Sequence, residues 1–173
     1  MKTIAIIMGS DSDRPVAEAA ARELKSLGIP CEARVLSAHR TPDALRDYIM
    51  QAEERGFGAI ICIAGMAAHL AGAVAGLTIL PVVGVPVASG GLGGLDALLS
   101  TAQMPPGVPV ATVAVGGGRN AAILCAQMLA VADSALKEKL RQARADMART
   151  IAQKDLQIAE ELSSNGQGGS LNG

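Results

Sequence analysis

Two short polar segments near the start of the chain contain the side chains best suited to chemistry. Residues 8–13 (MGSDSD) offer hydroxyls, carboxylates and the free backbone N–H groups of a glycine–serine turn. Residues 37–42 (SAHRTP) offer a guanidinium for an anion and an imidazole for proton transfer. Together the two segments indicate a phosphorylated small molecule whose reaction moves a proton.

Ser10, Ser12 and Asp13 are the candidate binding residues of the first segment. A Gly-Ser turn between a strand and a helix leaves backbone N–H groups free at the helix start, where phosphates bind. Plain helix capping by Asp11 or Ser12 explains the same spacing equally well. A carboxylate aimed at a bound phosphate would repel it, so Asp13 is better suited to accept hydrogen bonds from sugar hydroxyls.

The second segment places His39 next to Arg40, and the other histidine of the chain is His69. Arg40 offers a planar fork for phosphate or carboxylate, and His39 can act as an acid and then as a base. A surface salt bridge for Arg40 and simple packing for His39 are the alternatives, but their position after a strand and opposite a Gly-Ser loop favours function. His69 follows a turn in which Gly65 lets the backbone approach a ligand, and a structural role at a helix start stays open for it.

The composition argues against several classes of partner. The net charge of the 173 residues is −1 without a basic cluster, and Tyr48 and Phe57 are the only aromatic residues, so nucleic acid is not an expected partner. Neither a phosphate-binding Gly-Lys-Ser/Thr loop nor a GxGxxG follows the first strand, so ATP and NAD are not implied. Cys31, Cys62 and Cys125 lack the spacing of a metal site and are interpreted as buried reduced thiols. We therefore expect no metal and no organic cofactor.

The chain has the sequence features of a protein that works in the cytoplasm. Every apolar stretch of about 20 residues is interrupted by turn signals, which argues against a membrane partner. A strand is predicted from residue 3 onward, which leaves no room for a signal peptide. A cytoplasmic location is therefore expected.

Apolar runs that alternate with amphipathic segments predict an α/β fold. Continuous apolar runs are typical of strands covered on both faces, and Pro and Gly mark the ends of the helical segments between them. The predicted strands cover residues 3–8, 31–36, 58–64, 81–85 and 110–115. The predicted helices cover residues 15–27, 42–56, 67–76, 92–101, 120–131 and 134–162, with Asn120 capping the fifth. This alternation indicates a three-layer, doubly wound parallel sheet.

A single α/β domain is expected over residues 1–162, followed by a flexible tail over residues 163–173. The long C-terminal helix has more apolar positions than one chain can readily cover. These positions are Leu136, Leu140, Met147, Ile151, Leu156 and Ile158. A helix that extends past its sheet usually packs on another subunit, so we expect a homo-oligomer.

The chain contains six distinctive motifs, which are MGSDSD, SAHRTP, the GxAAHL segment after the third strand, LDALLS, QMPPGVPVATVAV and NAA. Over residues 4–130 these motifs resemble the PurE family of purine-biosynthetic carboxyaminoimidazole ribonucleotide mutases. The resemblance implies a flavodoxin-like core, an octamer, and a reaction without ATP, metal or organic cofactor. In that reaction the carboxylate of N5-carboxyaminoimidazole ribonucleotide moves from the exocyclic nitrogen to carbon 4 of the ring.

The resemblance also implies a role for each matching residue. His39 would protonate the nitrogen as CO2 leaves and would later remove the ring proton at carbon 4. The other implied contacts, with a phosphoribosyl aminoimidazole and with CO2, involve ten residues. Ser10, Ser12 and Arg40 would hold the phosphate and Asp13 the ribose hydroxyls. Ser37 would line the pocket, His69 would lie near the base, and Gly65 would contact the substrate. Ala67, Ala68 and Leu70 would enclose CO2.

Two positions depart from the family's usual Gly-Gly-Ala-Ala-His-Leu-Pro-Gly segment, because Met66 and Ala71 replace a glycine and a proline. Sister enzymes that carboxylate aminoimidazole ribonucleotide directly with CO2 usually carry Lys in place of Arg40 and lose the AAHL segment. This chain has Arg40 and the AAHL segment, which favours the mutase. Met66 leaves the direct carboxylase as the alternative. A non-catalytic module that binds a nucleotide phosphate is the alternative from another class.

Overall fold

The computed structural model describes residues 2–164, which form five strands and six helices around one sheet. The strands are β1 (Thr3–Met8), β2 (Cys31–Val35), β3 (Phe57–Gly65), β4 (Val82–Val87) and β5 (Ala111–Thr112). The helices are α1 (Arg14–Leu27), α2 (Pro42–Met50), α3 (Leu70–Ala75), α4 (Leu95–Ala102), α5 (Gly118–Ala130) and α6 (Ser134–Ser164). A single turn of 3-10 helix, Asp11–Asp13, precedes α1.

All neighbouring strands are parallel, in the order β2-β1-β3-β4-β5. This is the strand order of flavodoxin-like folds, so the predicted doubly wound α/β architecture is confirmed. Alternate residues of each inner strand face opposite layers, which explains why β1, β3 and β4 are mostly apolar, whereas the edge strand β2 carries Glu32 and Arg34. One face packs against α1 and α5, and the other packs against α2 and α3.

Two elements end several residues before the predicted position. The helix predicted to reach residue 56 ends at Met50, and residues 51–56 continue as hydrogen-bonded turns. The fifth strand, predicted over residues 110–115, is reduced to Ala111–Thr112. Its partner β4 contains Pro86, which has no N–H to donate, so only isolated bonds such as Gly116 N–H to Pro86 O extend the pairing.

Three helices begin two or three residues away from the predicted position. α3 begins at Leu70 instead of residue 67, after Met66 with its positive φ. α4 begins at Leu95 instead of residue 92, after the left-handed Gly94. α5 begins two residues early, with Gly117 in the cap position, so the prediction that Asn120 caps it is wrong.

The C-terminal helix α6 is anchored only at its start. Leu136 is 1% exposed, whereas Met147, Ile151, Leu156 and Ile158 are between 46% and 64% exposed. With 31 residues the helix is about 45 Å long, so much of it extends beyond the sheet. It includes Ser163 and Ser164 of the predicted tail, and the rest of that tail lies outside the described residues. Within residues 2–164, the length and hydropathy that a membrane-spanning helix requires do not occur together in any helix.

The contact between α1 and α5 yields a test of the packing. A Cβ atom on Gly118 would lie 2.3 Å from the carbonyl oxygen of Val16, so the two helices touch through backbone. We expect Gly118→Ala to lower the free energy of unfolding by about 1–3 kcal/mol, because the backbones must separate. Gly91→Ala is the matched control, since a Cβ there meets no atom within 4 Å. Urea denaturation checks both, and equal stabilities would contradict this close approach.

Candidate functional site

The loops that follow β1, β2, β3 and β4 surround a cavity at the carboxyl edge of the sheet. Its volume is about 500 Å³, and it is lined by residues 9–10, 12–13, 37–40, 64–67, 69–70 and 89. Strand order alone explains this convergence, since the carboxyl ends of parallel strands share one edge and β1 and β3 are neighbours at its centre. The two polar segments of the sequence therefore face the same space.

The rings of His39 and His69 are in direct contact inside the cavity. His39 Nε2 lies 2.8 Å from His69 Nδ1, with the rings edge to face and their centroids 5.0 Å apart. A hydrogen bond at this distance requires one nitrogen to carry a proton and the other to offer a lone pair. The pair therefore accommodates a single proton between the two facing nitrogens. His69 occupies the N-cap position of α3, but its side chain makes no capping hydrogen bond to that helix. Its ring contacts His39 instead.

Two guanidinium N–H groups hold Arg40 in place, one bonded to the loop after β1 and one bonded to its own loop. Its Nη2 donates to the carbonyl oxygen of Gly9 at 2.6 Å, and its Nε donates to Ser37 Oγ at 3.4 Å. Ser37 Oγ also accepts the backbone N–H of Arg40 at 3.2 Å. The bond to Gly9 joins the loop after β1 to the loop after β2, and the bonds to Ser37 lie within the second loop. The remaining N–H groups of the guanidinium are available to an anion in the cavity.

Ser10 and Asp13 form a capping box around the 3-10 turn. Ser10 Oγ accepts the N–H of Ser12 at 3.4 Å, and Asp13 Oδ2 accepts the N–H of Ser10 at 3.1 Å. Ser10 Oγ also donates to Asp11 Oδ1 at 3.1 Å. The capping alternative is thus realised, although by Ser10 and not by Asp11 or Ser12. Binding a phosphate here requires the Ser10 hydroxyl to turn away from Asp11.

Asp13 is the buried carboxylate of this group, with 5% of its surface exposed. Burial raises its pKa above the ordinary value of 3.8, because desolvation disfavours the charged form. The N–H of Ser10 and the nearby Arg40 guanidinium act in the opposite direction without cancelling the effect. A buried carboxylate acceptor at a ligand cavity suits hydroxyl groups, which donate to it without adding charge.

The comparisons with known proteins agree with this geometry. The AIR carboxylase family model matches residues 3–150. The chain belongs to the AIR carboxylase family. It is 51% identical over 157 residues to the N5-carboxyaminoimidazole ribonucleotide mutase of Pyrococcus horikoshii, covering 91% of this chain and 89% of that protein. The family resemblance stated from the motifs is therefore confirmed.

Two further proteins are similar to this chain, and one of them is a solved structure. The chloroplastic phosphoribosylaminoimidazole carboxylase of Vigna aconitifolia is 51% identical over 148 residues, covering 86% of this chain and 27% of that longer protein. The crystal structure of Treponema denticola PurE superposes with a TM-score of 0.83 at 30% identity, covering 91% of this chain and 99% of that chain. The match therefore covers nearly the whole Treponema denticola chain but only about a quarter of the longer Vigna aconitifolia protein.

Not every predicted site residue reaches the cavity of this AIR carboxylase family member. Ser10, Ser12, Asp13, Ser37, His39, Arg40, Gly65, Ala67, His69 and Leu70 all line it. Ala68 is 2% exposed and is not among the residues that line the cavity. Its contact with the substrate stays a prediction.

Ser89 lines the cavity and was not singled out from the sequence. It comes shortly after the carboxyl end of β4, and this position after a predicted strand is the signal that identified the other loops. A Cβ atom on Gly65 would lie 1.9 Å from Ser89 Oγ, so the glycine is required for the serine to sit against β3. Ser89 therefore adds a hydroxyl on the side of the cavity away from Arg40's loop.

The cysteines take no part in this site. Cys62 and Cys125 are buried in the core, while Cys31 is half-buried. Burial raises the pKa of the Cys125 thiol to about 12 and raises that of Cys62 as well, so neither forms the reactive thiolate at neutral pH. Among residues 2–164, no three His, Cys, Asp or Glu side chains gather in a way that could hold a metal ion.

The raised pKa of Asp13 predicts a specific pH dependence of stability. Because the folded protein disfavours the ionised carboxylate, stability falls as the pH rises through the folded-state pKa. We expect Asp13→Asn to be more stable than the wild type at neutral pH, with the difference vanishing below the ordinary value of 3.8. Urea denaturation across this pH range checks the sign. A variant that is less stable at neutral pH and equal only in acid would contradict it.

Proposed function

We propose that the protein converts N5-carboxyaminoimidazole ribonucleotide into 4-carboxy-5-aminoimidazole ribonucleotide in purine biosynthesis. The observation that carries this proposal is the imidazole pair of His39 and His69 inside a cavity that also holds Arg40. The pair can give and take one proton, and the guanidinium can hold a phosphate. Relatives about half identical to this chain over most of its length are named for this mutase reaction.

In the first half of the reaction, the bond between the exocyclic nitrogen and its carboxylate breaks. The bonding electrons stay on the nitrogen, CO2 leaves, and protonated His39 gives its proton to the nitrogen. The products of this half are aminoimidazole ribonucleotide and CO2 held in the cavity. His39 is then neutral and has a free lone pair.

In the second half, carbon 4 of the ring attacks CO2 and a carbon–carbon bond forms. Neutral His39 removes the proton from carbon 4, which restores the aromatic ring and returns His39 to its protonated state. The cycle is balanced, since one proton leaves His39 and one returns. A group that serves as acid and then as base must change its protonation state near the working pH, which imidazole does.

His69 positions the imidazole that does this work. With His39 Nε2 facing His69 Nδ1, the ring nitrogen left for the substrate is His39 Nδ1. After the first half, His39 Nε2 keeps its proton and donates it in a hydrogen bond to His69 Nδ1. His39 Nδ1 then carries the lone pair that the second half needs. Fixing a tautomer through a hydrogen bond on the opposite nitrogen is a common means of orienting histidine.

The phosphate is assigned to Arg40 together with Ser10 and Ser12, and the ribose hydroxyls to Asp13. The guanidinium already lies on the carbonyl of Gly9, next to the serine turn, so an anion there would meet it without a large movement. Buried Asp13 lies at the same turn, where a hydroxyl donor would satisfy its second oxygen. Gly65, Ala67 and Leu70 are assigned to the apolar part of the cavity that CO2 requires.

Direct carboxylation of aminoimidazole ribonucleotide by CO2 is the second candidate, and the name of the Vigna aconitifolia relative favours it. Both reactions share the second half described above. An assay without ATP separates them, with either N5-carboxyaminoimidazole ribonucleotide or aminoimidazole ribonucleotide plus bicarbonate as the substrate. Fast formation of the 4-carboxylated product from the first substrate alone supports the mutase. The reverse preference supports the carboxylase, and no product from either would reduce the site to a phosphate-binding module.

An assembly of several copies, with the octamer as the specific prediction, fits two features of the chain. The apolar residues of α6 from Met147 onward are exposed, and a groove of about 820 Å³ runs between α6 and the ends of α1 and α5. Both histidine rings are also exposed in the single chain, while retaining CO2 calls for an enclosed space. Unpaired cysteines suit a reducing compartment, which supports a cytoplasmic location.

Replacing His39 tests the proton-transfer role. We expect His39→Asn to lower turnover by about a hundredfold to ten-thousandfold, because asparagine has a similar size but cannot exchange a proton. Binding of the 4-carboxylated product, measured by calorimetry, should persist. His69→Asn is the matched comparison and should lose less activity while shifting the pH dependence of turnover. If His69→Asn were inactive and His39→Asn active, the two roles would have to be exchanged.

Replacing Arg40 tests the phosphate site. We expect Arg40→Ala to weaken product binding by about tenfold to a hundredfold, since a charged hydrogen-bond donor is lost. The control is Arg46→Ala, which removes an exposed arginine of α2 outside the cavity. Calorimetry at two salt concentrations measures both variants. Unchanged affinity in Arg40→Ala would remove Arg40 from the phosphate site.

A further inference from the structure

Met66 has a backbone conformation that favours glycine. Its φ is 55°, and among residues 2–164 it is the only residue other than glycine with a positive φ. In this region the Cβ of an L-residue crowds the following carbonyl, a cost that glycine avoids. The residue stands directly after Gly65 at the carboxyl end of β3, the central strand. A side chain is thus present where the backbone alone would select none.

The Met66 side chain lies at the mouth of the cavity. It is 61% exposed and lines the cavity between Gly65 and Ala67, whose side chains are absent or small. The other large apolar residue of the lining, Leu70, is 2% exposed and belongs to the core beneath it. Among the residues that line the cavity, Met66 is therefore the large apolar side chain that is exposed.

The proposed function gives such a group a task. Between its two halves, that reaction holds a small, uncharged molecule that cannot be retained by an ion pair. We propose that the Met66 side chain closes the mouth of the cavity over the CO2 released in the first half and keeps it for the second. An unbranched thioether adapts its shape to its contacts, which suits a cover over a changing occupant. This inference rests on the proposed function, and it assigns to Met66 the retention of CO2.

The test measures how much CO2 escapes before it is reused. Full-length enzyme converts N5-carboxyaminoimidazole ribonucleotide in ¹³C-labelled bicarbonate, with carbonic anhydrase present to equilibrate free CO2. Mass spectrometry then gives the labelled fraction of the 4-carboxylated product at early times, after subtraction of the reaction without enzyme. Retained CO2 yields unlabelled product, whereas escaped CO2 is replaced from the labelled pool or leaves free aminoimidazole ribonucleotide.

We expect Met66→Ala and Met66→Gly to raise the sum of labelled product and free aminoimidazole ribonucleotide several-fold over the wild type. Met66→Leu, which keeps apolar volume, should restore most of the retention. The glycine variant also suits the positive φ, so it keeps the test available if the alanine variant folds poorly. Met50→Ala is the matched control, because Met50 is 59% exposed on α2 and lies outside the cavity. It should behave as the wild type.

Light scattering on each variant separates retention from assembly. Escape that rises in Met66→Ala and Met66→Gly while the assembly stays intact supports the proposal. Escape equal to that of the wild type overturns it, and so does escape that appears only together with loss of the assembly, since Met66 would then be a contact between subunits. A wild type that forms no 4-carboxylated product from this substrate would instead overturn the proposed function.

Discussion

The parallel direction of every strand is the constraint on which the site depends. Because all five strands point the same way, the loops after β1, β2, β3 and β4 open at one edge of the sheet. The central position of β1 and β3 then places the serine turn next to the turn that carries His69. Residues far apart in sequence, such as His39 and His69, come within 2.8 Å without any dedicated connection. The apolar layers on both sides of the sheet hold this edge in place.

Within the site, the same polar groups hold the loops together and offer themselves to a ligand. Ser10 caps a turn, Arg40 lies on the carbonyl of Gly9, and Ser37 orients Arg40. These bonds satisfy groups that would otherwise be unpaired, so they organise the cavity without the help of a ligand. A phosphate would exchange some of these bonds for stronger charged ones. Ligand binding is in this sense a substitution of partners around a framework that is already formed.

Several site residues and apolar residues are exposed to solvent in the single chain. Both histidine rings are exposed, Met66 is exposed beside them, and the outer half of α6 presents apolar residues. Each of these surfaces lies away from the two cores that stabilise the sheet. The proposed reaction needs an enclosed space for CO2. In the proposed arrangement, the Met66 side chain closes the mouth of the cavity locally, and a neighbouring copy closes a larger surface around it.

The layered fold and the two polar loops could be predicted from the residues alone, because apolar strands and Pro or Gly at element ends are local signals. The family could be predicted too, through motifs such as SAHRTP that are contiguous in the chain. The folded structure was needed to show that His39 pairs with His69, that Ser10 is the cap, that Ala68 is buried and that Ser89 enters the cavity. The shortened β5 and the late start of α3 also came from tertiary context, through Pro86 and the positive φ of Met66. Such contacts depend on which strands are neighbours, and strand order is set by packing across the whole sheet and not by any local stretch of residues.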